Sequence, residues 1–149
     1  MKITNIFLLV TDITLDGGVE RVVCNMANSF AERNYNVVII SMFSANQSLN
    51  YQFRKNIKIE IIKGGIGRVT WMNKHTSRIN LIRRYQTSVH FTRLIYAIID
   101  QYSKGGKSVL LTNSYLYATP LYRHRNVHII GLDHSRYPFG NMTGGIRHW

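Results

Sequence analysis

Acidic residues are scarce in this chain: seven Asp and Glu stand against nineteen Lys and Arg, a formal net charge of +12 over 149 residues. A paired-carboxylate hydrolase, which needs two positioned acids, is therefore disfavoured. The excess of one sign instead implies an anionic partner: nucleic acid, anionic lipid head groups or a diphosphate-bearing substrate. Cysteine is limited to Cys24, so no internal disulfide can form and a reducing cytoplasm fits. No apolar run approaches the roughly 20 residues of a membrane helix, and Asp12 interrupts the opening run too soon for a secretory signal. The glycine spacings of dinucleotide loops and P-loops are missing, as is the G-x-S-x-G elbow. Six histidines show no pair spaced for a metal beside a carboxylate. No metal and no tightly held cofactor are therefore expected.

What the chain does have is a βαβ pattern from Lys2 to Ser41. Ile6-Phe7-Leu8-Leu9-Val10 is a continuous apolar run, expected of a central parallel strand covered on both faces. Asp12 to Gly18 form a polar turn ending in Gly17-Gly18. Helical spacing then puts Val19, Val22, Val23, Met26, Ala27 and Phe30 on one stripe, with Glu20, Arg21, Asn28 and Glu32 off it. Glu20 in the first turn and Arg33 in the last match the helix dipole. Asn34 is suited to the left-handed stop, and Val37 to Ile40 resume the sheet.

Further along, Phe43 to Asn56 is polar and loop-like, and Ile57 to Ile61 alternates as an edge strand with one wet face. Gly64 to Gly67 reads as a connector. Met72 to Ser103 holds the longest helical pattern, with Ile79, Ile82, Tyr85, Val89, Leu94, Ile95, Ile98, Ile99 and Tyr102 facing the sheet. Its other face carries Arg83, Arg84 and Arg93, either as an ordinary solvated surface or as a contact with an anionic membrane. Strands are expected at Ser108 to Thr112 and Val127 to Leu132, with a short helix between them at Tyr115 to Arg123. Together this is one α/β domain: a Rossmann-like, doubly wound, mainly parallel sheet with helices on both faces.

In such a sheet, ligands bind beyond the carboxyl ends of the strands. Three loops meet there: Asp12 to Gly18, Asn113 to Tyr115, and Asp133 to Tyr137. Free amides at a helix N-terminus attract phosphate or carboxylate, and glycine lets a ligand approach the backbone. Gly17-Gly18 equally suits a tight turn. His134 is a switchable proton donor or acceptor at neutral pH, or an exposed loop histidine. Asp133 is a possible turn cap.

The block DGGVERVVCNMANSFAERNYNVVIIS, behind a first strand, resembles the opening of family 4 glycosyltransferases of the GT-B fold. The likeness covers Gly17 to Ser41, with Gly-Gly, Glu20-Arg21, the apolar helix and the second strand at fixed offsets. Asn34-Tyr35 departs from the family's usual Gly-His, and Lys107-Ser108 replaces the acidic residue usual before the fourth strand. The resemblance implies the acceptor-binding half of a retaining enzyme that moves sugar from a nucleotide-sugar to a glycan or lipid-linked acceptor. It implies His134 as the catalytic-site residue, while the strand-end rule gives Gly17, Gly18, Asn113 and Ser114 as the expected substrate contacts. It also implies a separate donor-binding domain after Trp149, without which the chain is expected to be inactive; the expected location is the cytoplasm, either free or at the inner face of the membrane. The competing expectation is a non-catalytic basic module for nucleic acid or anionic lipid. No RNA- or DNA-binding signature supports nucleic acid. A dinucleotide-dependent enzyme is disfavoured because Ser41-Met42 stands where an acid should close the second strand.

Overall fold

A computed structural model describes residues 3–67, 81–103, 106–112 and 127–132, the stretch 81–88 by its backbone alone. Its elements are β1 (Ile3–Asp12), α1 (Gly18–Glu32), β2 (Asn36–Phe43), β3 (Lys58–Lys63), α2 (Leu81–Ser103), β4 (Lys107–Thr112) and β5 (Val127–Gly131). The strands form one sheet in the order β3-β2-β1-β4-β5. Every pairing is parallel. This is the α/β Rossmann-like arrangement expected from the apolar runs.

Strand periodicity divides the core. In β1, Ile6, Leu8 and Val10 turn to one face and Phe7 and Leu9 to the other; in β2, Val37 and Ile39 oppose Val38, Ile40 and Met42. The first face is covered by Val23, Ala27 and Ala31 of α1, the second by Phe91, Ile95 and Ile99 of α2. Phe7 pairs with Val38 on one side and Leu110 on the other, so the central strand is enclosed in all directions. Burying each such aliphatic or aromatic side chain contributes about 1.5–3 kcal/mol, which is why these runs are apolar on both faces.

Several details depart from the sequence pattern. Phe91, absent from the expected α2 stripe, is fully buried and tilts against Phe43 with ring centroids 5.7 Å apart. Glu20, expected off the α1 stripe, is buried. Arg33 is the C-cap of α1 and not part of its last turn, which holds no basic residue. Asn34 does take the left-handed conformation, at φ 62°. β3 lies at the sheet edge as expected, but neither face keeps to the alternation: on one, Tyr102 at the end of α2 donates to Glu60, while on the other Ile61 is exposed. The end of α2 lies against the face of Glu60 and Ile62, so a polar and an apolar residue are covered there alike. The expected start of the long helix at Met72 and the short helix at Tyr115 to Arg123 lie outside the described residues.

At the amino ends of the strands, Asn5 and Asn36 close the C-terminus of α2. The Asn5 amide donates to the Ser103 carbonyl at 2.9 Å, and Asn36 donates both to Asn5 Oδ1 at 3.0 Å and to the Tyr102 carbonyl at 3.2 Å. These bonds satisfy carbonyls that a helix end leaves without partners.

Candidate functional site

All five strands point one way, so their carboxyl ends share one edge. The chain winds outward from β1 to β2 and β3, then returns to the other side for β4 and β5. The crevice of such a fold lies between β1 and β4, where the direction reverses. The β1–α1 loop forms its described wall.

Gly17 is the N-cap of α1, at φ −141° and ψ 169°, with no side-chain cap hydrogen bond, and Gly18 opens the helix. An extended φ is open to any residue, and neither glycine has a positive φ. A left-handed turn therefore does not explain them. Space does so in part: a Cβ on Gly17 would collide with Glu20 Oε2, whereas nothing lies within 4 Å of a Cβ position on Gly18. Gly17 makes room for a side chain of this protein. Gly18 leaves a bare, exposed stretch of backbone.

The loop itself is held by buried polar groups. Asp12 Oδ1 accepts from the Thr14 amide at 3.0 Å and the Thr14 hydroxyl at 2.6 Å, while Oδ2 accepts from the Ala45 amide at 2.8 Å. The Ile13 amide donates to the Ser41 hydroxyl, which donates in turn to the Phe43 carbonyl. Asn46 and Asn50 both donate to the Thr14 carbonyl, at 2.8 and 2.9 Å. The Tyr51 hydroxyl shares its single proton between Asp16 Oδ1 at 2.8 Å and the Gly17 carbonyl at 2.9 Å. Its pKa is raised, first by the hydrogen bond to Asp16 and then by burial and the Asp16 charge, with Arg21 opposing.

The same connection continues down α1. The Gln52 carbonyl accepts from Asn28 and Cys24, Asn28 accepts from the Arg54 amide, and Arg54 pairs with Glu32. Residues 44–54 thus form a strap from the mouth of the crevice along one flank of the helix. The sequence marked this stretch only as polar. The Asp-x-Thr spacing at a strand end signals a local Asx-type turn, but nothing in the sequence links it to Ala45 or Tyr51.

Of the expected site residues, Gly17 and Gly18 lie at the carboxyl edge as anticipated. Asn113, Ser114, Asp133 and His134 lie outside the described residues, as do the side chains of Arg83 and Arg84. Arg93 is exposed on the side of α2 away from the sheet, as is His90. Among the described residues, no three His, Cys, Asp or Glu side chains are grouped to hold a metal, and no helix is long and apolar enough to cross a membrane. Comparison with family models, curated proteins and solved structures finds no match to this chain.

Proposed function

We propose that this chain is the acceptor-side half of a retaining glycosyltransferase, transferring sugar from a nucleotide-sugar to a glycan or lipid-linked acceptor. The observation that carries this reading is Gly18: exposed helix N-terminal backbone, bare of side chains, at the carboxyl end of the central strand. Unpaired amides and partial positive charge at such a turn favour the oxygens of a ligand. The Gly17 to Ser41 likeness supplies the reaction class. Within it, Asn113 and Ser114 hold substrate from the β4 side and His134 contacts the transferred sugar; no metal is required. A second domain supplies most donor contacts, and the work is in the cytoplasm at the inner face of the membrane, in polysaccharide assembly.

The test is transfer from a panel of nucleotide-sugars, using the chain alone and then with a donor-binding α/β half supplied. Turnover is expected only in the second case and is expected to fall in His134→Ala. Robust turnover by the chain unaided, or none with any donor half, overturns the proposal.

The exposed Arg93 favours a second reading on the same molecule, an anionic surface contact through α2. Each basic residue near such a surface contributes about 1 kcal/mol. Binding to anionic vesicles that falls steeply with salt supports it. Equal or tighter binding to duplex DNA or single-stranded RNA points to a nucleic-acid module instead.

A further inference from the structure

Glu20 is the third residue of α1 and is only 8% exposed, with Oε2 over the Gly17 backbone. Its carboxylate makes no hydrogen bond or ion pair with any other described residue. A buried polar group normally has a partner, because hydration lost on burial is regained only from a donor. The helix dipole offsets part of that loss, but supplies no proton to either oxygen. Beside this carboxylate, Gly18 is open to solvent with nothing over it. A phosphate placed there would meet a fixed negative charge; a hydroxyl would meet an acceptor without a donor.

Resting on the proposal that this edge binds substrate, we infer that Glu20 is the hydroxyl acceptor of the site. A sugar ring lies over Gly18 and donates a hydroxyl proton to the Glu20 carboxylate, so the turn takes a neutral polyol and excludes phosphate. The diphosphate of a nucleotide-sugar then sits elsewhere in the crevice. Gly17 is glycine because the carboxylate must lie across its backbone.

The experiment titrates the full chain with methyl glycosides of glucose, mannose, galactose and N-acetylglucosamine, and separately with inorganic pyrophosphate, while the Gly17 and Gly18 amide resonances are followed. At least one glycoside is expected to move both resonances. Glu20→Gln, which keeps the shape and removes the charge, should weaken that binding about tenfold, the loss of one hydrogen bond to a charged group. Gly17→Ala, which expels the carboxylate from its place, should do the same. Pyrophosphate is expected to leave the wild-type resonances in place and to move them in Glu20→Gln. Unchanged β1 and β2 amide shifts verify that each variant is folded. The inference is overturned if no glycoside moves these resonances, if Glu20→Gln binds the glycoside as well as wild type, or if pyrophosphate binds both forms alike. Sugar transfer scores the enzyme proposal separately: glycoside binding that depends on Glu20, without transfer, sinks the transferase and leaves the hydroxyl site standing.

Discussion

The Asp12 carboxylate reaches from the end of β1 to the Ala45 amide at 2.8 Å, joining segments 33 residues apart. With both Thr14 donors on its other oxygen, this side chain, 1% exposed, is fully engaged. Asp12→Ala leaves buried donors unpaired, each costing about 1–3 kcal/mol, so a loss of about 3 kcal/mol is expected. Asp12→Asn keeps one acceptor but turns an NH₂ toward either Ala45 or Thr14. It should therefore also destabilise, by about 2 kcal/mol. Urea unfolding with an unchanged slope reads both; an Asn variant as stable as wild type would show that the charge and second acceptor are dispensable.

Tyr51 ties the strap to the glycine loop through Asp16 and the Gly17 carbonyl. Tyr51→Phe is expected to leave the unfolding midpoint nearly unchanged and to speed hydrogen exchange of the first-turn amides of α1. Its raised pKa fixes the sign with pH. The protonated phenol is the form that holds Asp16, so its contribution is complete below the unfolded tyrosine value of about 10 and is lost as pH rises through the higher folded value. First-turn exchange should thus accelerate at alkaline pH in wild type beyond the ordinary base-catalysed trend, and not in Tyr51→Phe. Identical pH profiles would refute the coupling.

Local pattern made the frame legible. The Ile6 to Val10 and Val37 to Ile40 runs marked strands buried on both faces, and Asn34 marked the helix stop, because each feature follows from neighbouring residues alone. Phe91 was readable too, since it stands at four-residue spacing from Ile95 and Ile99. Glu20 was hidden for a geometric reason: helical side chains lean toward the N-terminus, so a third-position carboxylate falls over Gly17 instead of outward to water. The strap was hidden for a different reason. Asn46, Asn50 and Tyr51 meet their partners 32 to 36 residues away, and that proximity exists only once β1 and β2 have paired.

Asn34 offers a direct check on the helix stop. A left-handed backbone costs an ordinary L-residue about 1–2 kcal/mol, which glycine escapes and asparagine partly escapes. Asn34→Ala should cost about 1 kcal/mol, lowering the melting temperature by about 2–4 °C for a chain of this size. Asn34→Gly should equal or slightly exceed wild type. A stabilising alanine would contradict the φ of 62°.

Cys24 reports on the strap without altering it. Its thiol donates to the Gln52 carbonyl at 3.3 Å and lies 3.5 Å from the Asn28 amide nitrogen, and burial pushes its pKa up against the smaller effect of Asn28. Since the thiolate is the reacting form, iodoacetamide near pH 8 should label native Cys24 far more slowly than a free thiol. The neutral thiol is the favoured folded form, so this protection holds below the unfolded value of about 8.5 and fades as pH rises through the raised folded value. In rising urea, labelling should accelerate before the global midpoint, because peeling residues 44–54 from α1 exposes Cys24 while the sheet remains paired. Labelling that tracks global unfolding alone would make the strap part of the core, and labelling at the free-thiol rate in native buffer would contradict its contact with Gln52.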